Sequence, residues 1–290
     1  MIAVGVVLPS LAVVRDQRLD LAAAARHVEE AGLDSAWHGD HLAPGGPVRD
    51  CTVALAVAAT ATRRITVGTS VYVPAIRPLA WAAKQIATLV EISGGRFVLG
   101  VGSGGGPEQW AAAGVPYDER GARTDTALEL LPALLAGEPV TLPDGAAVTL
   151  APAVAPPPVW VGNASAVALR RAARFGAGWF PSLITAAEVA AGVATLAAAQ
   201  HRPTVAIGMA GALGAGVPAR TEIAAGIASA YGRPVEEVAS VPLSGGPGEV
   251  AEQLAAYAAA GASHAVIGIA GGDWRRQVDL LAEAKTLLVA

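Results

Sequence analysis

Three short stretches of this chain carry residue types that could do chemistry. The first is "WHGDHL", residues 37–42, where Asp40 and His41 stand side by side and His41 follows His38 by three positions. An imidazole titrates near neutral pH, and an adjacent carboxylate can set its tautomer and charge, so the pair suits proton transfer. His38 and His41 could also ligate a metal. No second cluster of His, Asp or Glu stands at another strand end to complete such a site, so no metal is expected. The plainer alternative is a structural histidine closing a loop.

The second stretch is "GVGSGGGPEQW", residues 100–110, in which Gly100-x-Gly102-x-x-Gly105 spells the pattern that cradles a dinucleotide pyrophosphate. That pattern works only when a strand passes through a tight turn straight into a helix. Here Pro107 and a loop reaching to about Gly121 intervene. The expectation is instead that the glycines let the backbone pass close to a flat ligand, where any Cβ would clash. A plain flexible loop is the alternative. The third stretch, "VWVGNASAVALRR", ends a strand in a glycine turn and opens a helix at about Ser165. Free N–H groups at a helix start, aided by a hydroxyl, suit a phosphate. "GIAGGDW" is its rival, but Asp273 is a poor neighbour for an anion and fits better as a helix N-cap.

Strand-like and alanine-rich helical runs alternate from end to end and would position these groups. "AVGVVLP" is a continuous apolar strand. "DLAAAARHVEEAG" follows with Leu21, Ala24, Ala25, Val28 and Ala31 on one face, Asp20 as N-cap and Gly32 as stop. "LDSAWHG", "ITVGTSVYV", "RFVLGVG", "PVWVGN", "GWFP", "TVAIGMAG" and "HAVIGIAG" supply seven further strands. Between them lie "PLAWAAKQIATLVEISGG", "RTDTALELLPALLAG", "SAVALRRAARFG" and helices near 185–199, 220–230, 248–260 and 273–288. "PVTLPDGAAVTLAP" departs from this rhythm as a small hairpin turning on Asp144-Gly145. Eight successive βα units without a mid-chain break predict one α/β domain over residues 1–290. It would be a (β/α)8 TIM barrel with a hairpin insertion after the fourth unit. A doubly wound open sheet is the runner-up. In a barrel the active site lies at the C-terminal ends of the strands, where all three stretches fall.

Composition narrows the class. The net charge of −4, from 20 basic and 24 acidic residues with no basic tract, leaves nucleic acid without a binding surface. "MIAVGVVLPSLAVVRD" lacks a basic leader and reads as a strand, and the uncharged run from Pro203 to Ala219 falls short of the ~20 apolar residues a membrane helix needs. The single cysteine, Cys51, cannot form an intrachain disulfide and fits a reducing compartment as a small buried hydrophobe. A soluble cytoplasmic protein is expected, with neither membrane nor nucleic acid as partner.

Four stretches taken together resemble the bacterial luciferase-like monooxygenase superfamily, in its branch that uses the deazaflavin coenzyme F420. They are "SAWHGDHL", "ITVGTSVYVPAIRPLAWAAKQIATLVEISGGRFVLGVGSG", "YDERGARTDTALELLPALLAGEPVT" and "PPPVWVGNASAVALRRAARFGAGWF". The resemblance implies a (β/α)8 barrel with an insertion. It implies that His41, preceded by Asp40, is the catalytic acid/base beside the redox carbon. It implies a non-prolyl cis peptide at Ser70-Val71, forming a bulge behind the ring. Gly102, Ser103 and Gly104 match one cofactor-contacting turn, and Gly162, Asn163 and Ser165 match the other.

There are departures. The sugar-phosphate dehydrogenase branch carries a carboxylate where this chain has Gly105, so Glu108, with Trp110, is expected on the substrate side instead. The usual Gly-Gly is Gly162-Asn163, and the usual acid of "GDGW" is Ala177. The expected activity is hydride transfer between F420 and a small organic substrate, in a homodimer packed through alanine-rich outer helices. The alternatives are an FMN-dependent monooxygenase on the same fold, a non-catalytic cofactor-binding barrel and, disfavoured by the missing ligand cluster, a metal-dependent hydrolase.

Overall fold

The computed structural model describes residues 2–42, 47–199 and 202–288. Its strands in chain order are β1 (Ala3–Val7), β2 (Ser35–His38), β3 (Thr66–Thr69), β4 (Phe97–Val101), β5 (Val140–Thr141), β6 (Ala147–Val148), β7 (Val159–Gly162), β8 (Gly178–Phe180), β9 (Thr204–Leu213), β10 (Leu243–Gly245) and β11 (His264–Ile269). β1, β2, β3, β4, β7, β8, β9 and β11 pair in parallel in that order. The ring closes through β11 on β1, with Ala3 opposite His264. The eight expected strands thus form a (β/α)8 barrel. β5 and β6 form the separate antiparallel hairpin, with Gly145 at φ 87° in its turn.

The helices start where side chains can satisfy their free N–H groups. Asp20 accepts from Ala23 N, Thr185 forms a capping box with Glu188, and Asp273 accepts from Arg276 N. Helix Leu79–Ser93 stops at Gly94, whose φ of 64° is the left-handed turn that glycine adopts freely.

Several elements go beyond the sequence expectation. Helix Cys51–Ala61, capped by Asp50, fills the gap between β2 and β3. The expected loop to about Gly121 instead contains helix Pro107–Ala112, anchored by fully buried Trp110, and a 3-10 turn at Tyr117–Glu119. β9 overruns the barrel, and its outer end takes β10 as an extra parallel neighbour.

The barrel interior is filled by large rings facing glycines. Trp37 stacks on Trp160 with centroids 5.3 Å apart, and Phe180 and His264 meet both edge-on. A Cβ on Gly68 would come within 2.3 Å of the Trp37 ring, and one on Gly178 within 2.4 Å of Trp160. These glycines create the space that the two indoles occupy. Below them, Ser35 Oγ accepts from Trp37 Nε1 and hydrogen-bonds His264 Nε2, both at 2.7 Å. Burial lowers the His264 pKa to about 4. This plug closes the lower barrel and leaves the space above the strand C-termini as its accessible mouth.

Candidate active site

The mouth is organised by a backbone bulge between β3 and helix Leu79–Ser93. The Ser70–Val71 peptide is cis, as the resemblance implied. Thr69 Oγ1 donates to Gly100 O, and Tyr72 N donates to the same carbonyl. The Val71 side chain then lies against three glycines. A Cβ on Gly102 would meet Val71 Cγ2 at 2.4 Å, and Cβ atoms on Gly100 or Gly162 would meet Val71 Cγ1 at 3.1 Å. Gly104, at φ 78°, faces Trp110 Nε1 and Val73 Cγ1 within 3.1 Å. The glycine-rich stretch is therefore explained first by the protein's own packing. It seats the bulge.

Asp40 holds the far side of the bulge. Its carboxylate accepts from Arg77 Nη1 at 2.6 Å and Nη2 at 2.7 Å, and from Val73 N at 2.9 Å. Against burial, which acts the other way, this ion pair raises the Arg77 pKa. Arg77 also covers the Tyr72 ring, 4.5 Å from its centroid. No hydrogen bond joins Asp40 to His41, so Asp40 orients the bulge rather than the histidine. Cys51 is fully buried nearby, and burial followed by the Asp40 charge pushes its thiol pKa up, as an inert residue requires.

His41 is exposed at the rim. His41 Nε2 at 3.0 Å and Ser70 O at 3.4 Å converge on the point where a Gly39 Cβ would stand, which brings the imidazole to the edge of the bulge. Leu42 N donates to Gln109 Oε1 at 2.9 Å and ties this loop to helix Pro107–Ala112. His38 points elsewhere. It is buried with Nδ1 2.8 Å from Gly39 O, and burial lowers its pKa despite that carbonyl.

A cavity of about 240 Å3 lies over the strand ends. Ser70, Val71, Gly162 and Asn163 line one side of it, and Phe180, Leu183, Met209 and Tyr231 line the other. Among the described residues the Val71 N–H makes no hydrogen bond. Asn163 holds a left-handed turn at φ 82°. Its Oδ1 accepts from Ser165 N, its carbonyl accepts from Trp179 Nε1, and Ser165 Oγ caps Ala168 N. Among the described residues the N–H groups of Ala166 and Val167 carry no such bond, as expected of the first turn of helix Ala166–Phe175.

The structure thus gathers Ser70, Val71, Gly162 and Asn163 on the cavity, with Gly102 against Val71, whereas His41 stands exposed at the edge of the bulge and does not line the cavity, and Ser103, Gly104 and Ser165 do not line it either. Two expected substrate residues are not brought in. Trp110 is fully buried under Gly104 and packs with Val73, Ala75 and Ile76. The exposed Glu108 carboxylate curls back to Gly106 at the start of its own helix. Arg77, Leu183, Met209 and Tyr231 were missed. Arg77 had one usable signal, an arginine just before the Pro78 that opens a helix. The other three are apolar residues whose places depend on how β8 and β9 come together.

A (β/α)8 barrel with an apolar cavity at its strand C-termini belongs to the class that holds an organic ligand at the mouth. Residues 13–231 match the luciferase-like monooxygenase family, and the chain belongs to it. It is 37% identical over 174 residues to an F420-dependent glucose-6-phosphate dehydrogenase of Beutenbergia cavernae, covering 55% of this chain and 51% of that one. It is 36% identical over 129 residues to a 5,10-methylenetetrahydromethanopterin reductase of Methanolobus tindarius, covering 44% and 35%. The matched stretches span about half or less of these curated relatives. An F420-dependent secondary alcohol dehydrogenase, solved with an F420-acetone adduct, shares the fold over 99% of both chains with a TM-score of 0.79 at 15% identity.

Proposed function

We propose that this protein is an oxidoreductase that transfers a hydride between coenzyme F420 and a small organic substrate. The observation that carries the reading is the Ser70–Val71 bulge, seated on Gly100, Gly102 and Gly162, with the cavity on one side and His41 at its edge. The residues present fit a flat heteroaromatic ring. The cavity wall is apolar, the Val71 N–H is available to a ring acceptor, and helix-start N–H groups near Ser165 suit a phosphate on the tail. Ser70 and Val71 would back the ring. Gly102, Ser103, Gly104, Gly162, Asn163 and Ser165 would hold the tail.

When bound, a deazaflavin supplies the hydride chemistry. The chain's own contribution is to position, to exclude water and to move a proton. The bulge fixes the face against which a ring can lie, and Phe180 and Val71 keep the cavity floor dry. His41 Nε2 is the proton handler, giving a proton to the substrate oxygen on reduction or accepting one on oxidation. The single buried cysteine supports a reducing, cytoplasmic setting. Exposed Trp81 and Val53 on the outer helices support a homodimer.

Titrating the purified protein with F420 and, separately, with FMN tests the reading by fluorescence. Saturable binding of F420 in preference to FMN is expected. Preference for FMN would move the protein to oxygen insertion, and F420 binding without turnover would leave a cofactor-binding barrel. His41→Ala should cut turnover about 100-fold or more while leaving F420 affinity unchanged. Unaltered turnover would remove His41 from the chemistry.

A further inference from the structure

The mouth cavity has a neighbour on the other side of Tyr231. A second cavity of about 450 Å3 runs along helix Arg220–Tyr231 and shares Leu183, Ala210 and Tyr231 with the first. Ile223, Ile227 and Gly226 line its far wall. No Lys, Arg or His among the described residues lines either cavity, and the one charged residue on their walls, Glu222, is acidic.

The waist between the two is rigidly built. Leu183 sits at φ 55°, a left-handed conformation that a non-glycine residue rarely holds unless its surroundings enforce it. Two bonds do so, from Leu183 N to Gly208 O at 2.8 Å and from Arg233 Nη1 to Leu183 O at 3.0 Å. The Arg233 guanidinium is spent on this backbone and on Glu237, and it is not on either cavity wall.

We infer that these two adjoining cavities form the substrate subsite, and that its substrate is an uncharged, predominantly apolar molecule with one reactive polar group, not a sugar phosphate. The inference rests on the hydride-transfer reading for the role of the mouth. The polar group would lie in the mouth against the Ser70–Val71 bulge, whose outer edge carries His41, and the apolar remainder would pass between Leu183 and Tyr231 towards Ile223 and Ile227. A phosphorylated or carboxylated substrate would meet no counter-charge there and would face Glu222 at the outer end. An alkyl chain would transfer from water onto Ile223, Ile227 and Leu183, a gain that grows with each methylene buried.

Calorimetric titration of 2-hexanone, 2-octanone, 2-decanone and glucose 6-phosphate tests this, each into protein alone and into protein saturated with F420. Affinity should rise through the ketone series by up to about fourfold per methylene, with glucose 6-phosphate binding more weakly than 2-decanone. Gly226→Glu provides the local control. A Cβ there meets nothing within 4 Å, and the change suits the helix better than glycine does, so folding is not at risk. It should weaken 2-decanone at least tenfold while leaving 2-hexanone and F420 binding unchanged. Equal affinity along the series, tighter binding of glucose 6-phosphate, or indifference to Gly226→Glu would overturn the inference. A ketone series that climbs in a protein that fails to bind F420 would refute the cofactor reading and leave the groove standing.

Discussion

Asp40 accepts both ends of the Arg77 guanidinium and the Val73 N–H while itself only 6% exposed. Asp40→Asn would leave that guanidinium largely buried without a counter-charge, a loss of about 3–5 kcal/mol for broken buried pairs. Urea unfolding should show a loss of that order. Adding Arg77→Met should recover part of it, because the orphaned charge is then gone. F420 affinity should fall in Asp40→Asn, whose bulge is unsupported, and hold in His41→Ala, and that contrast separates the two neighbours.

His264 carries a different prediction, for stability rather than binding. Its folded pKa of about 4 lies below the ordinary 6.5, so between those values the unfolded chain binds a proton that the folded chain does not. Stability from this group is therefore fully present above about pH 6.5 and is lost as pH falls towards 4. Between pH 7.5 and pH 5 the loss amounts to about 2 kcal/mol. Denaturation of the native protein beside His264→Gln should show a loss between these pH values that is larger by about 2 kcal/mol in the native protein.

At the scale of elements, the bulge is a strand end braced by a turn on the next strand, and Gly102 is where they meet. Gly102→Ala would put a methyl 2.4 Å from Val71 Cγ2, so the bulge must shift or the turn must open. A loss of about 1–3 kcal/mol is expected, with F420 binding weakened well beyond what that loss explains. An alanine variant that binds F420 normally would show that the bulge tolerates displacement.

The elements themselves were largely legible. Strand–helix alternation, the caps at Asp20 and Asp273 and the Asp144-Gly145 turn are local signals, and they placed the eight barrel strands and the hairpin correctly. What stayed hidden was non-local. Gly100 and Gly102 look like a ligand loop in sequence, yet their missing side chains are answered by Thr69 and Val71 some thirty residues earlier. Asp40 beside His41 looks like an orienting pair, but its partner Arg77 becomes adjacent only when β2 and β3 align. Trp110 reads as a substrate-side aromatic until Pro107 starts a helix that turns it under Gly104.

At the scale of the molecule, the barrel's outer face is not uniformly polar. On helices Cys51–Ala61 and Leu79–Ser93, Val53 is 65% exposed and Trp81 68% exposed. Between them lies a groove of about 370 Å3, walled also by Ala56, Leu89 and Ile92. A large aromatic beside an apolar groove on adjacent helices is costly to leave in water and suits burial in an interface. A second copy related by a two-fold axis would bring the same patch against itself, each Trp81 meeting the partner's groove. Such an interface needs about 800 Å2 from each partner, which two paired helices can supply. Light scattering during size exclusion should therefore report a dimer, and Trp81→Glu should yield a monomer. Because Trp81 lies on the surface and outside the barrel core, the monomer should keep its circular dichroism and its affinity for F420. A Trp81→Glu protein that stayed dimeric would move the interface to another face, and a native protein that ran as a monomer would leave Trp81 free for a different partner.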